Sequence, residues 1–99
     1  MSLIQAVCVG VITIDTIALV DKYPSADERV SAQEIARAGG GPAAVAAVTL
    51  SRLGIKSAIV GTIGDDADGK EVLRIFEKEG VDTSGISIGK SATSGSVIV

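Results

Sequence analysis

The sequence predicts an α/β fold, and three observations carry that expectation. Apolar residues make up 46% of the chain, yet Tyr23 and Phe76 are the only large aromatics. A core must then be built from Val, Ile, Leu and Ala, the composition of a parallel sheet covered by small-residue helices. β-Branched runs near 3–9, 11–20, 56–63 and 94–99 alternate with helical spacing over 43–53 and 70–79. Gly10, the Gly39-Gly40-Gly41-Pro42 cluster, Gly54, Gly69 and Gly80 fall between those stretches and punctuate them. With 99 residues the chain accommodates one small domain and not two.

Each element follows from its residues. Positions 3–9 form an apolar strand ending at Gly10, and 11–20 resumes in extended form. The polar stretch from Asp21 to Glu28 carries Pro24 and reads as a loop, and 29–36 alternates without a clear apolar face, predicting a weak, exposed strand that the glycines end. A helix is expected over 43–53, with Pro42 at its first position and Gly54 just past its end. Its alanines, Ala43, Ala44, Ala46 and Ala47, allow close approach to a sheet. A strand over 56–63 and a turn over 64–69 follow. The next helix, 70–79, buries Val72, Leu73 and Phe76, with Asp68 and Glu71 as a capping box and Gly80 as its stop. A loop over 81–90 holds a short strand at 86–88, and 94–99 is β. That last strand meets the end of the sequence without a turn, so a truncated chain is expected.

Residue supply excludes several chemistries. Twelve acidic against nine basic residues give a formal charge of -3, which offers no basic field for a phosphate backbone, and nucleic acid is not an expected partner. There is no histidine and a single cysteine, so a Cys/His zinc site, an internal disulfide and a histidine general base are unavailable. Cys8, within Ala6-Val7-Cys8-Val9, reads as a small core residue in a reducing compartment, and the cytoplasm is the expected location. The apolar stretch 3–20 is interrupted by Gln5, Thr13, Asp15 and Thr16 and has no basic residues before it, so no membrane span or signal is expected.

Four patterns bear on chemistry. Gly39 to Ala44 formally matches G-x-G-x-x-A, but the preceding segment is polar and Pro42 removes an amide, which argues against a dinucleotide turn. The run from Gly85 to Ser91 falls one residue short of a phosphate loop and precedes β structure rather than a helix, so a surface turn is expected. Asp65, Asp66 and Asp68 lack the spacing of a calcium loop, and a turn with a helix cap explains them better; no metal site is expected. Asp15 is the oddest residue. A carboxylate among Ile12, Ile14, Ile17 and Leu19 is costly unless it caps a turn locally or receives hydroxyl groups, and it lies near the carboxyl edge where open α/β sheets bind ligands. The triple glycine favours the second role, because glycine lets backbone amides approach a ligand.

Taken in order, these residues resemble a known family. Gly10 followed by Asp15, then Asp21-Lys22-Tyr23-Pro24, Gly39-Gly40-Gly41-Pro42-Ala43-Ala44, Leu53-Gly54, and Val60-Gly61 with Gly64-Asp65-Asp66 and Gly69 are similar to the N-terminal part of a ribokinase-like (PfkB) sugar kinase. The stretch from Val20 to Pro24 is similar to the ketohexokinase branch. The resemblance implies a Rossmann-like sheet with a small β lid, the lid strands near 16–20, 30–36 and 94–99. It implies ATP-dependent phosphoryl transfer to a sugar or nucleoside hydroxyl, with Mg2+ assisting and a homodimer formed through the lid. On the matching positions, Asp15 would accept hydrogen bonds from sugar hydroxyls, and Gly40 and Gly41 would offer backbone amides.

Two departures from the family pattern qualify this. Val45 stands where the family carries an asparagine that bonds the sugar. The family's G-x-G-D aspartate, its anion hole and its nucleotide site have no counterpart in the sequence, so no catalytic residue and no ATP or Mg2+ site is expected within these 99 residues. The chain is then the acceptor side of a kinase and catalytically silent alone. The competing expectation is a non-catalytic small α/β domain that binds a polyol or self-associates through its edge strands.

Overall fold

The computed structural model describes residues 3–99. In chain order the elements are β1 (Ala6–Val9), β2 (Thr13–Leu19), β3 (Glu34–Gly40), α1 (Pro42–Arg52), β4 (Ser57–Gly64), α2 (Ala67–Glu79), β5 (Asp82–Gly89) and β6 (Ser94–Ile98). They form two three-stranded sheets. The first, ordered β1-β4-β5, is wholly parallel, with α1 and α2 as its crossovers. The second, ordered β3-β2-β6, pairs β2 antiparallel with β3 and parallel with β6. The α/β layer is what the sequence predicts, and the separate small sheet corresponds to the lid that the family resemblance implies.

The core lies between the parallel sheet and the helices. Ala43, Ala44 and Ala47 are buried on α1, and a Cβ added at Gly10 would sit only 3.2 Å from that of Ala43. Small side chains thus let the helix approach the end of β1, and Ile12, Ile14, Ile59, Ile63, Val72, Phe76 and Val81 fill the remainder. On α2 the spacing of Val72 and Phe76 buries one face, while Arg74 and Glu71 pair on the outside. Ser57 is the polar residue placed deepest. Its hydroxyl donates to the Ala47 carbonyl at 2.7 Å and ties β4 to α1.

The molecule is extended. Its radius of gyration is 15.6 Å, against roughly 13 Å for a compact domain of this length. The lid accounts for this, because the chain connects its three strands to the α/β layer at their Thr13, Gly40 and Ser94 ends, which lie side by side in the pairing register.

Several expectations are corrected. The third strand is 34–40 and not 29–36, so Gly39 and Gly40 belong to the strand instead of ending it. Pairing with β2 decides this, since the glycines lie opposite Ile14 and Thr13 and complete the ladder. Helix α2 begins at Ala67, and its cap is Asp66 and not Asp68, because the Asp66 carboxylate reaches the Gly69 amide at 2.8 Å. Strand β5 runs over eight residues, not 86–88 alone, because parallel pairing with β4 recruits polar positions that carry no apolar periodicity. Cys8 is half-buried on the edge strand and packs against the core without entering it.

Candidate functional site

The site is built where β2, β3 and the start of α1 converge. Residues alternate across β2, so Thr13 and Asp15 share the face that carries Gly40 and Ala38 of β3 and Ser94 and Ser96 of β6. The back face carries Ile14, Gly39 and Arg37 and leans on α2, with a Cβ at Gly39 falling 3.6 Å from Ile75.

The Asp15 carboxylate lies directly against Gly40. A Cβ built on Gly40 would overlap Asp15 Oδ2 and stand 2.8 Å from Thr13 Oγ1. Gly40 has no positive φ, so glycine is required here by space and not by backbone conformation. Asp15 Oδ1 is buried and has no hydrogen-bond partner among the described residues. An orphaned carboxylate oxygen in a low-dielectric site is costly, and a native chain tolerates it where a ligand donor or a water completes it. Gly41 follows at φ 96, a conformation that disfavours side chains, and its Cβ position is occupied by the Val11 carbonyl. It begins α1 with no side-chain cap, so first-turn amides of that helix have no side-chain acceptor.

The structure thus brings Asp15, Gly40 and Gly41 together and adds Thr13. Val45 lies one turn along α1, its amide bonded to the Gly41 carbonyl at 2.9 Å, with its side chain 55% exposed. It lines a cleft of about 320 Å³ with Thr13, Ala38, Ile12 and Val48, which Arg52 and Glu79 also line. A second cleft of about 350 Å³ lies at the carboxyl ends of β1 and β4, bounded by Gly10, Gly61, Thr62 and Ser94. Asp15 lines neither cleft.

Thr13 was legible in principle, two residues before Asp15 on an alternating strand. Ser96 was not, because its place beside Asp15 depends on the parallel pairing of β2 with β6, a contact 81 positions distant.

The aspartates at 65, 66 and 68 serve structure. Asp66 Oδ1 accepts from the Gly69 amide and the Thr93 hydroxyl (2.6 Å), and Oδ2 accepts from the Thr93 amide (2.9 Å). These bonds, the Thr93 hydroxyl foremost, hold the Asp66 carboxyl below the usual carboxylate range. Asp68 pairs with Arg37. Among the described residues no group of three or more His, Cys, Asp or Glu side chains is gathered as a metal-ligand set. No helix among them is long and apolar enough to cross a membrane.

A model of the pfkB family carbohydrate kinases matches residues 4–99. The chain belongs to the pfkB carbohydrate kinase family. Among this family member's relatives, an ATP-dependent ribose-1-phosphate kinase of Halopiger xanaduensis is 33% identical over 86 residues, covering 87% of this chain and 29% of the relative. Mouse ketohexokinase is 34% identical over 85 residues, covering 84% and 28%. The structure of Arabidopsis thaliana ribokinase complexed with ribose and ATP superposes with a TM-score of 0.80 at 26% identity, covering 93% of this chain and 30% of that one. The chain therefore spans less than a third of the length of these relatives, and its fold is that of the ribokinase type.

Proposed function

We propose that this pfkB-family chain forms the acceptor side of an ATP-dependent sugar or nucleoside kinase, a phosphotransferase. The observation that carries the proposal is the Asp15 carboxylate, packed on Gly40 with Oδ1 buried and unpartnered. A carboxylate only accepts hydrogen bonds, and a polyol supplies adjacent O–H donors, so the two are complementary. The Gly40–Gly41 backbone admits the acceptor close to the chain because neither residue projects a side chain. Val45, one turn along α1, lines the cleft that also contains Thr13 and gives it an apolar surface with no side-chain hydrogen-bond partner. Lid closure over the bound acceptor would exclude water from the transferring phosphoryl group.

ATP as donor is supported by the ribokinase neighbour bound to ribose and ATP. In a complete enzyme ATP would supply the phosphoryl group, and Mg2+ would help neutralise its charge. The proton-accepting base and the groups that stabilise that charge lie outside these 99 residues in this reading. The same reading places the protein in the cytoplasm and pairs two copies through the outer lid strands β3 and β6, with neither a membrane nor a nucleic acid as partner.

Calorimetry against a panel of sugars and nucleosides tests the acceptor site. Removing the charged acceptor with Asp15→Asn is expected to weaken binding roughly 10- to 100-fold, the equivalent of about 1.5–3 kcal/mol. Equal affinity for Asp15→Asn and the parent, or no polyol bound at all, overturns the proposal. A coupled ATP-consumption assay on this chain alone is expected to show no turnover.

A further inference from the structure

We propose that Arg37 and Asp68 form a strut that holds the lid sheet back against α2, making them positioning residues for the Asp15 site. The inference rests on the acceptor-site reading above for its functional meaning and on geometry alone for its existence.

The chain connections between lid and α/β layer fall on one line. The link from β1 to β2 is residues 10–12, that from β3 to α1 is Gly41, and that from β5 to β6 is 90–93. All three enter the lid at the paired ends Thr13, Gly40 and Ser94. A sheet attached along one edge is free to rotate about that edge unless something ties it farther out. At the line itself, Thr93 is pinned by both carboxylate oxygens of Asp66, while its hydroxyl accepts from the Gly64 amide at 2.9 Å. This knot is half-buried and sits on the axis, so rotation does not strain it.

Arg37 lies off the axis. It is three residues beyond Gly40, roughly 10 Å out at about 3.3 Å per residue. It sits on the back face, opposite Asp15, and its Nη2 donates to Asp68 Oδ1 at 2.6 Å in the first turn of α2. This ion pair joins the lid to the α/β layer, whereas Arg52–Glu79 joins α1 to α2 and Arg74–Glu71 lies within α2. The Glu71 carboxyl, one turn along the same helix, is held below the ordinary carboxylate range first by its hydrogen bond from Arg74, with the charge of Arg37 the smallest contribution. Both outer lid strands are thus referred to one helix end: β6 through a fixed knot on the axis, β3 through an exposed, releasable pair. A rotation of about 20° would carry Arg37 some 3.5 Å and break the pair, turning the Asp15 face toward the carboxyl ends of β1 and β4.

An exposed pair of this kind biases an equilibrium about 1.5- to 5-fold. Spin labels at Val97→Cys on the lid and Glu77→Cys on α2, in a Cys8→Ala background, read the lid angle by electron–electron distance measurement. Arg37→Ala is expected to shift population toward longer distances, high salt to move the parent the same way, and the reversed pair Arg37→Asp with Asp68→Arg to restore the parent distribution. An unchanged distribution in Arg37→Ala, or no restoration by the reversed pair, overturns the strut. Acceptor affinity is read separately: Arg37→Ala is expected to tighten it 1.5- to 5-fold while Asp15→Asn weakens it without altering distances. Absence of acceptor binding in the parent would sink the acceptor-site reading and leave the distance result to decide the strut.

Discussion

Gly40→Ala is the sharpest single perturbation of this chain. The new methyl group would overlap Asp15 Oδ2 and lie 2.8 Å from Thr13 Oγ1 and 3.1 Å from Asp15 Cγ. Because Gly40 has an ordinary φ, the backbone does not object; the entire effect is steric. Forcing a methyl group into an occupied, half-buried space costs about 1–3 kcal/mol. For a domain of this size that corresponds to a melting temperature lower by roughly 5–15 °C. Relief requires the carboxylate to swing away or β2 and β3 to part locally, and either moves Asp15 off its acceptor position. Thermal or urea denaturation measures the first effect and calorimetric titration with a bound polyol the second. A double-mutant cycle isolates the cause, since in an Asp15→Ala background the largest overlap vanishes and Gly40→Ala should cost less, leaving only the Thr13 contact. If Gly40→Ala is as destabilising in that background as in the parent, the carboxylate is not what the glycine makes room for.

Other outcomes follow from the same geometry. Asp15→Asn should leave stability unchanged or raise it by up to about 2 kcal/mol, since it removes a charge whose buried oxygen has no partner; a clear loss in urea denaturation would show that the carboxylate is structurally engaged. Thr93→Val should cost about 1–3 kcal/mol, because it strands the buried Gly64 amide; native-state hydrogen exchange at that amide checks it. The Asp66 carboxyl is held below its unfolded value, so its contribution is present above the ordinary carboxylate range and is lost as pH falls through the depressed folded value. Stability measured from pH 6 downward should fall below about pH 4, and less steeply in Thr93→Val, which removes the hydroxyl that lowers Asp66 most. Gly41→Ala should destabilise through both its left-handed φ and the Val11 carbonyl in the path of a Cβ, read as a reduced urea midpoint.

Strong periodic signals were legible in the sequence. The Val72 and Phe76 spacing, three of the four α1 alanines (Ala43, Ala44 and Ala47, with Ala46 exposed), and Gly54 and Gly80 after their helices were readable because helix geometry and its termination are local. What failed was non-local. The third strand shifted by four or five residues because its register comes from β2, not from its own composition. The cap moved from Asp68 to Asp66 because a carboxylate that also receives Thr93, 27 positions away, is favoured over one that receives the helix alone. Asp68 became available to Arg37 for the same reason.

The site divides along that boundary. The order of motifs from Gly10 to Gly69 identified the family, and an acid in an apolar run marked Asp15, because both are properties of neighbouring residues. That this acid presses on Gly40, that Thr13 and Ser96 share its face, and that Val45 lines a separate cleft followed only from strand pairing and helix placement. The physical reason is that side-chain alternation specifies which residues face together on one strand, whereas which strands meet, and in what register, is set by burial summed over the whole chain.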